Sequence, residues 1–420
     1  MGDTNVLVIG GGGREHAITW ALQKSPRLGA LYVAPGNAGT AEIAQNVNLD
    51  TVAETLQFAA DKNIHLVVIG PEAPLVAGWA DELRAGGVAV FGPSQAAAQL
   101  EASKAFSKAF MREHNIPTAD SRTFNDYDAA LAYAESVDHA VVVKADGLAA
   151  GKGVIVCDDV ASARAALKTI MHDAAFGAAG DTVIIEERLI GREVSILAFC
   201  DGHNVALMPA MRDHKRIFDG DQGLNTGGMG AFGPVADVSA DDLAYFRDAI
   251  IKPAVAGMAA RGTPYVGVLY AGLMLTQQSV RTLEFNCRFG DPETQAILPL
   301  LDSDLLTIML DCAAGSLNPA DVRWKSGFCA TVVAASGGYP GDYQTGIPIN
   351  GLDAVSDSVV FHAGVRRLEP GGHVTAGGRV LAVSAVGDTL DSALATAYAD
   401  IARIDFDGMH YRRDIGRTEG

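Results

Sequence analysis

Cationic residues are in short supply. The chain has 32 Lys and Arg against 50 Asp and Glu, a formal net charge of −18. Affinity for a phosphate backbone needs a basic surface, so general nucleic-acid binding is disfavoured, although a few local cations suffice for one nucleotide. Cysteine is scarce and odd in number. Cys157, Cys200, Cys287, Cys312 and Cys329 lie far apart with no CxxC pair, which favours free thiols in a reducing compartment over disulfides or a zinc site. Long apolar runs are missing too: "VLVIGGGG" near the start is too short for a signal peptide or a membrane span. "MGDTNV" places Val6 where a myristoylation signal wants Ser or Thr. These absences predict a cytoplasmic chain with neither membrane nor nucleic acid as partner. What remains is ordinary globular composition, 49% hydrophobic and 20% charged over 420 residues, enough for two to four domains.

From residue 5 to about 95, short apolar strands alternate with helical patterns. "NVLVIG", "ALYVAPG", "IHLVVIGPE" and "VAVFGPS" each end in Gly or Pro. Such alternation implies a parallel sheet with helices on both sides, and ligands there sit beyond the carboxyl ends of the strands. The loops "GGGGRE", "APGNAGT" and "GPEAPLV" fall at that edge. One helical stretch, "AAAQLEASKAFSKAFMREHN", leads to Pro117 and a second strand-helix region. The last part, from "SGFCATVVAASGGYPG" onward, has the short alternating runs of a mainly β domain.

"VIGGGGREHA" fails as a dinucleotide fingerprint, because Glu15 or His16 stands at the third glycine position and the next strand ends without an acid. A glycine turn opening a helix survives, either as an anion site or as a purely structural turn. "VVVKADGLAAGKGV" is one residue short of a Walker loop, and Gly153 replaces the metal-binding hydroxyl. It still delivers Lys144 on a strand and then Gly147, Gly151 and Gly153 around Lys152, as a glycine flap over phosphates would; the alternative is a plain hairpin. "VIIEERLIGREVS" sets Glu186 and Glu187 at a strand end and Glu193 beyond a glycine, where a nucleotide could supply partners. "RDHKRIFDGDQGLNTGGMGAFGP" mixes charge and glycine with little apolar anchoring. We expect a loop that is costly to order without a ligand. His16, His65 and His214 show no metal spacing.

The segment "TLEFNCRFGDPET", residues 282–294, carries a carboxylate, an amide and a guanidinium on alternate positions. In a strand, Glu284, Asn286 and Arg288 share one face while Leu283, Phe285 and Cys287 take the other. One face suits a core. The other holds two oxygen donors beside a fixed cation, or is simply the wet side of an edge strand.

In order along the chain, "GGGGREHA", "APGNAGT", "GPEAPLV", "KADGLAAGKGV", "DHKRIFDGDQGLNTGGMGA" and "EFNCRFGDPETQ" closely resemble the phosphoribosylamine–glycine ligase family of the ATP-grasp superfamily. "GGYPGDY" and "GGRVLAVSA" extend the likeness to the C-terminal part, and the length resembles that of the single-activity form. The resemblance implies an α/β multidomain chain: an N-terminal doubly wound parallel-sheet domain (1–119), a two-lobed ATP-grasp core (120–187 and 188–325) and a C-terminal mainly β domain (326–420). It implies an ATP-dependent carbon–nitrogen ligase of purine synthesis, joining glycine to 5-phosphoribosylamine through an acyl phosphate. The small-molecule partners would be ATP, glycine and the amine, and the enzyme a monomer, with a dimer as the alternative. By the same resemblance, the ATP contacts are Lys104, Lys144, Gly147, Gly151, Lys152, Gly153, Glu186, Glu187, Leu189 and Glu193. Glu284 and Asn286 would hold magnesium, with manganese as the alternative ion. Arg288, Asp213 and Lys215 would be catalytic. Gly12, Gly13, Arg14, Glu15, Asn37 and Asp291 would contact substrate.

Gly11 and Leu224 depart from family residues Asn and Pro, and the strand "GVLYAGLML" lacks the acid that many ATP-grasp relatives use for a second metal. The alternatives are another ATP-grasp carboxylate–amine ligase of purine synthesis, a dehydrogenase weakened by the failed fingerprint, and a nucleotide sensor without turnover.

Overall fold

The computed structural model describes residues 2–148, 153–173 and 175–417. The N-terminal sheet comprises β1 (Thr4–Gly10), β2 (Leu28–Pro35), β3 (Gln45–Asn46), β4 (Leu66–Ile69) and β5 (Ala89–Phe91), in the order β3-β2-β1-β4-β5. Every pairing in it is parallel. Residues such as Val6, Leu7, Val67 and Val68 are wholly buried, as expected where helices cover both faces of a sheet. The chain winds outward in opposite directions from β1, so the loops after β1 and β4 diverge and leave a crevice at their carboxyl ends. The glycine turn sits there. Gly10 has φ +126°, and a Cβ on it would lie 2.5 Å from the Glu15 side chain, so only glycine fits.

The next sheet is built from β6 (Ser121–Phe124), β7 (Val141–Ala145), β8 (Val154–Cys157) and β9 (Val183–Glu187), ordered β6-β9-β7-β8 and antiparallel throughout. It has its own apolar core, in which Val143, Leu167, Val183 and Ile185 are buried with Ala130 and Ala134. The remainder of the chain packs differently, since its two larger cores each draw on N-terminal, central and C-terminal residues.

Beyond the small lobe come β10 (Arg192–Asp201), β11 (Val205–Leu207), β12 (Arg212–Asp213), β13 (Arg216–Phe218), β14 (Gln222–Asn225), β15 (Gly230–Gly233), β16 (Val266–Leu275) and β17 (Val280–Asn286). An antiparallel sheet runs β11-β10-β16-β17, which puts the motif strand β17 at an edge. The C-terminal part adds β18 (Phe328–Ala335), β19 (Pro348–Ile349), β20 (Val359–His362), β21 (Val365–Arg367), β22 (His373–Thr375) and β23 (Arg379–Gly387). Its main sheet is ordered β12-β15-β18-β23-β20, so strands from either side of residue 325 pair directly, with Gly230 opposite Val332. All five cysteines are buried and unpaired, and no helix of the described residues is long and apolar enough to cross a membrane.

Three local expectations change. The helical stretch before Pro117 is two helices, Gln95–Ala102 and Lys104–Glu113, because Ser103 turns extended (φ −131°) and caps the second through Phe106 N–H at 3.0 Å. The mixed-charge loop after Arg212 is partly a hairpin, β13–β14. Arg412, 1% exposed, orders it by reaching Asp221 (2.6 Å), Asp414 (2.6 Å) and the Arg216 carbonyl (3.1 Å). The distant C-terminal segment thus supplies the anchoring that the loop's own residues lack. Strand β17 slips register between its pairings Glu284–Gly272 and Thr282–Leu273. That bulge buries Thr282 and leaves Leu283 half-buried on the cavity wall, whereas Phe285 and Cys287 enter the core as the alternation predicts.

Candidate active site

A cavity of about 660 Å³ lies between the small-lobe sheet and the sheet carrying β17. On its small-lobe side, β7 and β9 bring Lys144 and Glu186 together at 2.9 Å, and the helix begun at Ser103 adds Lys108 at 3.1 Å from the same carboxylate oxygen. All three side chains are at least nine-tenths buried. Burial alone would raise the Glu186 carboxyl, but Lys144 and Lys108 overcome it and hold the group below the usual range. Burial pushes Lys108 down to about 8 against the pull of Glu186. The second oxygen of Glu186 has no partner among the described residues, so it is an acceptor available to a ligand donor.

Lys104 sits one residue past the helix break and reaches the Gly147 carbonyl at 3.0 Å, while Asp146 ties the loop to Ser103 (3.1 Å) and the Ala105 N–H (3.1 Å). Gly147, Gly153, Glu187 and Leu189 line the same cavity. The calls on Gly151 and Lys152 lie outside the described residues.

Strand β17 forms the opposite wall. Glu284, Asn286 and Arg288 all line the cavity, facing the two lysines and the flap ends. The Glu284 carboxylate makes no hydrogen bond or ion pair among the described residues, and its charge favours the protonated forms of Lys104 and Lys108. Arg288 is anchored to Glu101 (2.9 Å) and Glu72 (3.4 Å), and its Nη2 lies 3.4 Å from the Asn286 Oδ1. Burial works against its charge, but Glu101 and Glu72 hold the guanidinium above its ordinary value. No group of three or more His, Cys, Asp or Glu among the described residues could hold a metal ion. One free carboxylate beside one amide oxygen does suit magnesium, which takes few protein ligands and completes its shell from phosphate and water.

At the inner end, Lys215 bridges Glu193 (2.6 Å) and Asp213 (2.9 Å). Burial disfavours the ammonium, yet Asp213 and Glu193 keep it well above its ordinary value. Behind Asp213 lies a buried trio in which Glu293 Oε1 accepts from the Tyr270 hydroxyl (3.0 Å) and from Ser195 Oγ (3.2 Å). Asp291 closes this end, paired with Arg379 (3.0 Å) and accepting from Gln295 (2.7 Å).

Asp291 and Arg379 also line a second cavity of about 680 Å³, bounded by Gly12, Gly13, Asn37, Arg366 and Arg367. Glu15 does not line either cavity. Its carboxylate folds back to accept the Gly12 N–H (2.7 Å) and pairs with Arg14 Nε (2.6 Å), so it closes its own helix start. Arg14 lines the first cavity and donates to the Phe289 carbonyl (3.1 Å). Asn37 is a staple: its amide reaches the carbonyls of Gly11 (3.0 Å) and His362 (2.6 Å), while its oxygen accepts from Gly39 and Thr40. His16 accepts the His362 N–H (2.8 Å), and burial, with His362 beside it, lowers its imidazole to about 3. Both contacts lock the N-terminal domain to β20.

Sequence reasoning missed Glu72, Glu101, Lys108, Tyr270, Glu293, Arg366, Arg367 and Arg379, all of which line these cavities. Glu293 was within reach, since it falls in the quoted "GDPET"; the paired arginines of "GVRRLEP" carry no local pattern that marks a site.

Three family models match the chain in succession: the phosphoribosylglycinamide synthetase N domain over residues 4–101, its ATP-grasp (A) domain over residues 102–294 and its C domain over residues 329–418. The chain is 48% identical to the phosphoribosylamine–glycine ligase of Pseudomonas syringae pv. tomato, covering 98% of itself and 97% of that protein. It is 50% identical to the trifunctional purine biosynthetic protein adenosine-3 of Gallus gallus, again over 98% of itself, but it spans only 42% of that relative's length. Among solved structures, phosphoribosylamine–glycine ligase of Thermotoga maritima superposes with a TM-score of 0.88 at 33% identity, covering 98% of this chain and 100% of that one. With all three domain models in order and end-to-end likeness to a single-activity relative, the chain belongs to the phosphoribosylglycinamide synthetase family.

Proposed function

We propose that this chain uses ATP to join glycine to 5-phosphoribosylamine, giving glycinamide ribonucleotide, ADP and phosphate, a step of purine biosynthesis. One observation carries the reading at the level of the site. The cavity that gathers Lys104 and Lys144 with Glu284, Asn286 and Arg288 adjoins a second, arginine-lined cavity across Asp291 and Arg379. A nucleotide site beside a site for a phosphorylated second substrate is what such a ligation requires.

A free carboxylate does not acylate an amine at neutral pH, because its leaving group would be oxide. Transfer of the γ-phosphoryl of ATP to the glycine carboxylate gives glycyl phosphate and ADP. The nitrogen of phosphoribosylamine then attacks the carbonyl carbon, and the tetrahedral adduct expels phosphate. No protein nucleophile takes part, so catalysis is positioning and charge stabilisation.

In our reading Lys104, Lys144 and the flap residues Gly147 and Gly153 hold the phosphates, with Gly151 and Lys152 completing the flap. Glu186, Glu187 and Leu189 receive the adenine, where the unpaired Glu186 oxygen suits its exocyclic amine. Glu193 receives the ribose. Glu284 and Asn286 would hold a divalent ion, magnesium with manganese as the alternative, which when bound offsets phosphate charge. Arg288, fixed by Glu101 and Glu72, would meet the charge developing on the transferred phosphoryl or the adduct. Asp213 and Lys215 lie at the glycine end.

The amine's phosphate fits the second cavity, where Arg366 and Arg367 face the turn at Gly12 and Gly13. Arg14, Glu15 and Asn37 shape that turn, and Asp291 stands between the two sites. The separate core of the small lobe supports the proposed divisions after 119 and 187; the division at 325 separates stretches of chain but not sheets. We further propose a cytoplasmic monomer.

The test is ADP release in the presence of ATP. We expect it to require both glycine and phosphoribosylamine generated in situ. Equal turnover with bicarbonate or formate in place of glycine would instead identify another carboxylate–amine ligase.

A further inference from the structure

The motifs "GLNTGGMG", "GGYPGDY" and "GGRVLAVSA" supply no group to the two chemical steps, yet the fold brings them to one point. Arg379, the first residue of β23, donates through Nη1 to the carbonyls of Gly227 (2.7 Å) and Asp291 (2.8 Å), with that of Gly228 at 3.4 Å. Its Nη2 pairs with the Asp291 carboxylate at 3.0 Å. Tyr339 meets the same turn, its hydroxyl accepting the Gly227 N–H at 3.1 Å. At the other end of the turn, Thr226 donates through its N–H (2.7 Å) and its hydroxyl (2.8 Å) to the Lys215 carbonyl. Gly228 has φ +113°, and a Cβ on it would lie 2.4 Å from Pro292 Cδ, so the turn lies directly against Pro292. Thr226 and Gly227 line the nucleotide cavity, Tyr339 lines the second cavity, and Arg379 and Asp291 line both. Together they form a partition between the two spaces, braced by one guanidinium that bonds to the turn and to Asp291. Burial by itself would raise the Asp291 carboxyl, but Arg379 and Arg14 hold it below its usual range, so the brace stays ionised at neutral pH.

We propose that Arg379 is a positioning residue that couples the two steps of the ligation, by fixing this partition so that the acyl phosphate meets the amine rather than water. The proposal rests on the reaction put forward above. Glycyl phosphate formed in the first cavity can meet two nucleophiles. The nitrogen of phosphoribosylamine, arriving from the second cavity, gives the product. Water instead adds its oxygen to the carbonyl carbon, and the carbon–oxygen bond to phosphate breaks. One proton of that water passes to phosphate and the other to solvent, so glycine is regenerated and one ATP is lost. The amine prevails where the reacting atoms are held in line and water is kept out. A turn built of glycines has few side chains of its own to hold its shape. Arg379 and Tyr339 supply that hold from the C-terminal part of the chain.

The experiment measures, in one reaction, the ADP released and the radiolabelled glycine incorporated into product, for the wild type and Arg379→Gln. We expect the wild type to release one ADP per glycine incorporated. In the variant that ratio should rise ~3–10-fold, because a small misplacement of reacting groups costs up to about a hundredfold in rate. ADP release with glycine alone should appear in the variant, while its KM for ATP stays within about twofold. Arg379→Lys keeps a cation beside Asp291 but lacks the planar fork that spans the carbonyls, so its ratio should be intermediate. A variant that turns over slowly but still at one ADP per product would overturn the proposal, leaving Arg379 a staple of the fold. A raised KM for phosphoribosylamine with the ratio still at one would also overturn it, and make Arg379 a substrate contact. If Arg379→Gln fails to fold, Tyr339→Phe takes its place, with a ratio raised ~1.5–3-fold for the loss of one neutral hydrogen bond; an unchanged ratio decides against the coupling. Failure of the ligation itself would look different, because the wild type would then incorporate no glycine at all.

Discussion

The cavity between the lobes and the cavity beside the N-terminal glycine turn share Asp291 and Arg379 as a common wall, but they hold their cations differently. In the first, each positive group is tied into the protein: Lys144 and Lys108 to Glu186, Lys215 to Glu193 and Asp213, Arg288 to Glu101 and Glu72. In the second, Arg366 and Arg367 are exposed and have no carboxylate partner among the described residues. The first set is preorganised at the expense of coupling the site to the fold. The second stays free to pair with whatever anion arrives. Charge in the first cavity therefore also holds the fold together, whereas Arg366 and Arg367 in the second carry no such structural tie.

Removing the shared acid of the cleft should have the largest effect. Glu186→Ala strips the counter-charge from two buried lysines, and we expect a loss of about 3–5 kcal/mol in urea unfolding along with weakened ATP binding. A variant as stable as the wild type would erase the contrast. Glu284→Ala sharpens it from the other side, because this carboxylate is tied to nothing among the described residues. Activity should fall roughly a hundredfold or more while the unfolding midpoint stays put, a pairing read from steady-state kinetics and denaturation of one preparation. The smallest effect is expected from replacing Arg366 and Arg367 together by alanine. The KM for phosphoribosylamine should rise ~10–100-fold with that for ATP unaltered. Stability should move by no more than about 0.5 kcal/mol. A matching rise in the KM for ATP would mean that the two cavities act as one.

Much of this was legible in the sequence, for identifiable reasons. Apolar runs ending in glycine, such as "NVLVIG" and "IHLVVIGPE", announce the parallel sheet because buried strands need continuous apolar residues and sharp exits. Glu284, Asn286 and Arg288 share a face because strand periodicity is two, and that pattern survives the bulge at Leu283 since the slip lies before all three. The partners of Arg288 were hidden. Glu72 and Glu101 lie some 200 residues away on helices of the N-terminal part, and no local pattern announces a contact made by tertiary folding. The break at Ser103 was hidden as well, because "EASKAF" has uninterrupted helical propensity; besides its cap on the Phe106 N–H, the serine gains Asp146, from the distant small lobe, by turning outward. The hairpin after Arg212 resisted for the same reason, its anchor Arg412 being nearly 200 residues distant.

The five-stranded sheet ordered β12-β15-β18-β23-β20 has a consequence for how the molecule is made. During synthesis, β15 leaves the ribosome well before β18, its antiparallel neighbour, and waits as an unpaired edge with β12 as its sole companion. Bare edges of this kind invite pairing with other nascent chains. Asp213, whose strand β12 pairs with β15, therefore gains the rest of its sheet only after β18 and β23 have been translated.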